Sequence, residues 1–93
     1  MRVRLSTRAE ADLAGIRDYL VARNPQGAEN VRQAIEATID LLAAFPGVAR
    51  ATDIAEISVL PVVHYPYLVY HTVQDDELVV VHVRHAARAG YGR

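Results

Sequence analysis

The chain of 93 residues contains no cysteine and no lysine, and each absence closes off some chemistry. Without cysteine there is no disulfide framework, no thiolate nucleophile and no thiolate metal site, a composition that suits a cytoplasmic protein. Without lysine all the basic charge falls on ten arginines, and eleven acidic residues leave a formal charge of −1. So even a balance weighs against a protein whose affinity comes mainly from displacing counterions along a nucleic-acid backbone. No apolar run approaches the roughly 20 residues of a membrane-spanning helix. Met1-Arg2-Val3-Arg4 leads into a strand pattern and not a secretory leader. Repeats, linkers and low-complexity segments are also missing, so the expectation is one domain over 1–93 with one core.

What is present is apolar patterning. Arg2 to Leu5 alternate, predicting a short strand. Thr7-Arg8-Ala9-Glu10 has the spacing of a capping box, so a helix is expected from Thr7, with Ala9, Leu13, Ile16 and Leu20 as its stripe and Asp12, Arg17 and Asp18 away from it. Asn24-Pro25 ends that helix and starts another, since asparagine caps well and proline is tolerated at the first helical position. The second helix runs towards Phe45, with Val31, Ile35, Ile39 and Leu42 buried, Ala34, Leu41 and Phe45 widening the stripe, and Pro46-Gly47 as terminator. So short a link predicts an antiparallel helical hairpin. After a connector at 47–53, Ile54 to Leu60 alternates as a strand with Glu56 and Ser58 on one side, and Pro61 to Pro66 is a loop carrying His64 and Tyr65.

The last third predicts a β-hairpin: Tyr65 to Val73, a polar turn at Gln74-Asp75-Asp76-Glu77, and a strand from Glu77. Uninterrupted pairing sets Val73 against Leu78, Val69 against His82 and Tyr67 against Arg84. Leu68, Tyr70, Val79, Val81 and Val83 then share the expected core face, with His85 on the same side, and Tyr67, His71, His82 and Arg84 share a polar face. If first and last strands are neighbours, Arg2 and Arg4 join Arg84, Arg88 and Arg93 in a basic patch. The layout is α+β, in the order β-α-α-β-β-β, with the helical hairpin packed on one face of a small, mainly antiparallel sheet.

On that polar face, Arg84 and Arg88 could stabilise a pentavalent phosphate, His71, His82 or His85 could move a proton near neutral pH, Glu56 could act as base and Tyr91 could stack on a nucleobase. Against this, each histidine taken alone reads as an ordinary surface or sheet-edge side chain, and Tyr65, Tyr67 and Tyr70 as filling or rimming the core. A metal site from His71, His82 and Glu56 is disfavoured, because the histidines are diagonal across the hairpin and the third ligand depends on an unproven strand neighbour. No metal or cofactor is expected.

The order of elements, the Pro66-Tyr67-Leu68-Val69-Tyr70 strand, the acidic turn and the closing Val83-Arg84-His85-Ala86-Ala87-Arg88 together resemble the RelE/ParE superfamily of bacterial toxins. Members commonly end in valine, histidine, two small or variable residues and an arginine, matched by Val83, His85 and Arg88. The resemblance implies a toxin neutralised by a cognate antitoxin in a hetero-oligomer, with Leu13, Ile16, Leu20, Leu41 and Phe45 as the candidate antitoxin surface and Tyr67, Arg84 and Arg88 as candidate target contacts. It also implies one of two targets. ParE-like members poison DNA gyrase, and RelE-like members cleave mRNA on the ribosome with basic and acid/base side chains of the exposed sheet face. Near-neutral charge and the missing lysines favour gyrase. The endoribonuclease is the alternative, and a non-toxic relative that keeps the antitoxin surface is a third.

Overall fold

The computed structural model describes residues 1–87. The chain runs β1 (Arg2–Leu5), α1 (Thr7–Val21), α2 (Pro25–Ala44), a single 3-10 turn (Pro46–Val48), β2 (Arg50–Ala51), β3 (Ser58–Pro61), β4 (Tyr67–Gln74) and β5 (Glu77–His85). Its five strands form one sheet in the order β1-β5-β4-β3-β2, with β1 parallel to β5 and every other pair antiparallel. The α+β layout of the sequence analysis is thus observed, with the two-residue β2 added at one edge.

Local chemistry sets the helix ends. Ser6, not Thr7, caps α1: its hydroxyl accepts from the Ala9 amide at 3.0 Å and donates to the Val81 carbonyl at 3.0 Å. Thr7 is the first helical residue. Asn24 caps α2 by accepting from the Gly27 amide at 3.0 Å, and Pro25 follows it. In this cap a Cβ at position 27 would lie 2.6 Å from the Asn24 carboxamide, so any larger residue there would make the Asn24 side chain shift. Ala9 from α1 and Val31, Ile35 and Leu42 from α2 enter the core, with Leu13, Ile16, Leu20 and Ile39 half-buried against it. Leu41 and Phe45 do not widen the buried stripe. They are 42% and 64% exposed: Leu41 falls off the buried Ile35–Thr38–Leu42 stripe, and Phe45 is the C-cap beyond the last helical residue.

The β4–β5 turn is the two residues Asp75 and Asp76, both left-handed at φ 51° and 62°, as a type I′ hairpin requires and aspartate tolerates. From there the pairing is the expected one as far as His71, which lies opposite Val80. The next pair is Tyr70 with His82, so Val81 is an unpaired bulge residue. One extra residue inverts the expected faces over most of the hairpin. Tyr67, Val69, Leu78, Val80 and Val83 pack under the helices, and by alternation His71 and His85 join them. Leu68, Tyr70, Thr72, Val79, His82 and Arg84 belong to the opposite face.

Two other expectations fail for local reasons. Ile54 to Ile57 is a turn and not strand: the Thr52 hydroxyl accepts from the Ile54 amide and donates to the Ile57 carbonyl, and Glu56 sits at φ 68°. Among the described residues the basic patch is divided, because β1 runs parallel to β5; Arg88 and Arg93 lie outside them. Arg4 lies opposite Val79 and pairs with Glu77 at 3.0 Å, whereas Arg84 is five residues further along β5, roughly 15 Å away.

Candidate functional site

β5 outruns β1, and α1 takes over as its hydrogen-bond neighbour. The Ser6 amide donates to the Val80 carbonyl, and beyond it Asp12 reaches across from α1. One Asp12 oxygen, Oδ2, accepts from the Val83 amide at 3.0 Å and from His82 Nδ1 at 2.6 Å. The other ring nitrogen, Nε2, lies 3.5 Å from Arg8 Nη2. A carboxylate accepts and a guanidinium only donates, so these neighbours assign the Nδ1–H tautomer. The His82 ring is buried at 6% exposure and stacks on Tyr70, with centroids 5.7 Å apart and planes inclined by 25°. Tyr70 in turn accepts at its hydroxyl from Arg84 Nε at 3.1 Å, and Arg84 Nη1 donates to the His85 carbonyl at 2.8 Å. The result is a connected cluster in which Arg8 and Asp12 each meet His82, His82 stacks on Tyr70 and Tyr70 bonds Arg84, running from the first turns of α1 to the end of β5.

Of the residues expected on one polar face, the sheet therefore unites only His82 and Arg84. His71 is 2% exposed on the helix-covered face, its Nδ1 has no hydrogen-bond partner among the described residues, and burial holds its pKa below the ordinary histidine value. Tyr67 is likewise buried, edge-on to His85 with centroids 5.4 Å apart, so it is a core residue and not a surface target contact. His85 is half-buried, and its Nδ1 accepts from the Ala87 amide at 3.1 Å. Glu56 is exposed in the 52–57 turn, outside the strands, and cannot join a set with His71 and His82, which face opposite sides of the sheet. Among the described residues no group of three His, Asp or Glu is placed to hold a metal ion. Arg88 and Tyr91 lie outside the described residues.

A second feature is an open groove of about 580 Å³ between α1 and α2. Leu13, Ile16 and Leu20 line it from one side and Val31, Ile35 and Ile39 from the other, with Leu5 of β1 at its edge. Its rim carries Glu10, Arg17, Glu29, Arg32 and Glu36, of which Arg32 bonds both Glu29 and Glu36. Leu41 and Phe45 are not part of it.

Sequence reasoning missed Asp12, Arg8 and Tyr70. Asp12 follows Arg8 by four residues, so the two share a helix face immediately beside the Ala9–Leu13 stripe, and that spacing was the available signal. Alternation alone puts Tyr70 on the helix-covered face; it is buried, at 5% exposure, but on the opposite face, because the bulge is invisible in the pattern.

Comparison with known proteins gives the family and the fold. Residues 3–90 match the family model described as the ParE toxin of the type II toxin-antitoxin system parDE. The Toxin RelE2 of Caulobacter vibrioides is 35% identical over 83 residues, covering 87% of this chain and 90% of that protein. A solved structure of the chromosomal ParDE toxin-antitoxin system from P. aeruginosa shares the fold, with a TM-score of 0.80 over 91% of this chain and 95% of the other at 23% identity.

Proposed function

The chain belongs to the ParE toxin family of type II toxin-antitoxin systems, and from that premise we propose that it acts in the bacterial cytoplasm by binding and inhibiting DNA gyrase, and that a cognate antitoxin neutralises it. The observation that carries this reading is the dispersal of the acid/base candidates among the described residues. His71 is closed under the helices, His82 is held between Asp12 and Arg8, and Glu56 stands in an exposed turn. A nuclease needs its acid and base converging on one phosphate. A protein inhibitor needs only a rigid surface, and Arg84 at the end of β5 supplies its cation.

The antitoxin, on this reading, seats an apolar segment in the α1/α2 groove, with Leu13, Ile16 and Leu20 as its floor. A ribosome-dependent endoribonuclease is the second reading. It is favoured by the name of the Caulobacter relative and by Arg84 and His85 standing at the same strand end.

Supercoiling by purified gyrase, measured with and without the protein, separates the two. Inhibition that the antitoxin reverses is the expected result. No effect at high protein excess, together with cleaved transcripts at the ribosomal A site, would select the second reading. Harmless expression at high level would instead leave a non-toxic antitoxin-binding relative.

A further inference from the structure

We infer that Asp12 and His82 are positioning residues that set how Arg84 is presented at the end of β5. The inference rests on the reading of Arg84 as a target contact, although its first test does not. An arginine side chain near a strand end has many rotamers, and holding one costs conformational entropy. Among the described residues Arg84 is tied by Nε to the Tyr70 hydroxyl and by Nη1 to the His85 carbonyl. The Tyr70 hydroxyl is only as well placed as its ring, and that ring lies against His82.

The His82 ring is fixed in its own plane by the 2.6 Å contact from Nδ1 to Asp12. Asp12 is held in turn because the same Oδ2 also accepts from the Val83 amide, so its carboxylate is registered to the β5 backbone next to the bulge. A bulge loosens a strand by leaving one residue unpaired. The α1 carboxylate restores the lost restraint on the segment that carries both His82 and Arg84. None of these links needs Asp12 or His82 to touch a target: both act through Tyr70.

The sharing of one oxygen makes the inference testable. Asp12→Asn can keep an acceptor oxygen for both donors, whereas Asp12→Ala removes it. The readout is the hydrogen-exchange rate of Arg84 Nε–H in the isolated, ¹⁵N-labelled protein, alongside gyrase inhibition and antitoxin affinity. Asp12→Ala should raise the exchange rate by about tenfold, the scale of one lost net hydrogen bond. It should weaken inhibition towards the level of Arg84→Ala while antitoxin affinity stays near wild type, and Asp12→Asn should restore both. If Asp12→Ala does not fold, His82→Ala carries the same expectation, and if neither folds the pair is structural and the inference fails. Wild-type exchange in a folded variant overturns it. Full activity of Arg84→Ala would instead remove the target-contact reading, leaving the exchange result to judge the positioning alone.

Discussion

Across the hairpin His71 lies opposite Val80, which puts a 2%-exposed imidazole in an apolar layer where its Nδ1 has no hydrogen-bond partner among the described residues. Burial disfavours the charged ring, so its native pKa is held below the ordinary 6.5. The unfolded chain then takes up the proton first as pH falls. His71's share of stability is complete above about pH 6.5 and is lost as the pH drops from there towards the native value. Thermal melts from about pH 7.5 down to about pH 5 should show wild type losing stability faster than His71→Leu, since leucine cannot titrate. At neutral pH the leucine variant should be more stable by about 1 kcal/mol, because an unpartnered buried nitrogen is removed. Parallel pH profiles would refute this.

Ser6 joins α1 to β5 with one hydroxyl, accepting from Ala9 and donating to Val81. Ser6→Ala should therefore cost about 1–2 kcal/mol, at the upper end for a helix cap because the strand contact is lost as well. Thr7→Ala, at the first helical position, should change stability by less than about 0.5 kcal/mol. Urea unfolding of the two variants decides between the caps, and equal losses would restore Thr7 to the role its spacing suggests.

The helical hairpin was legible because its ends are punctuated by residues with one physical meaning. Asn24-Pro25 cannot continue α1 and favours the start of α2, and Pro46 closes α2. The strand faces were not legible, because Val79, Val80 and Val81 are identical and a period-two pattern cannot say which of three valines lacks a partner. Glu56 was misplaced for a different reason. Ile54 to Leu60 alternates like a strand, yet the Thr52 hydroxyl offers the backbone a local turn that wins over the first half of it. The pattern places Asp12 away from the apolar stripe of α1, and nothing in α1 alone reveals that β5 outruns β1 and leaves the Val83 amide needing an acceptor.

The bulge itself can be tested by removing it. Deleting one of the three valines leaves Leu-Val-Val-His-Val, which alternates without interruption and keeps Leu78 and Val83 under the helices and His82 and Arg84 on the other face. The shortened chain should fold with an unchanged far-ultraviolet spectrum. Its stability should fall by about 1–3 kcal/mol as the twist of β5 and the Ser6–Val81 contact are lost. An unfolded product would mean that α1 can dock only on a bulged strand.

The groove and the exposed end of α2 make opposite claims about where the antitoxin sits. Leu13, Ile16 and Leu20 line a concave surface with a charged rim, the form in which a few apolar anchors dominate binding. Leu41 and Phe45 are apolar and exposed but stand outside it. Ile16→Glu would put a carboxylate on the groove floor, beside the rim carboxylates Glu10, Glu29 and Glu36, and desolvating it under a partner is unfavourable. Calorimetric titration with the antitoxin should show a loss of roughly thirtyfold or more, with the melting temperature as the control for folding. Phe45→Ser should bind within about threefold of wild type, as expected of a residue outside the contact. The reverse order would place the antitoxin at the end of α2 and leave the groove to another partner, since an open apolar concavity of this size otherwise holds only water against Leu13, Ile16 and Leu20.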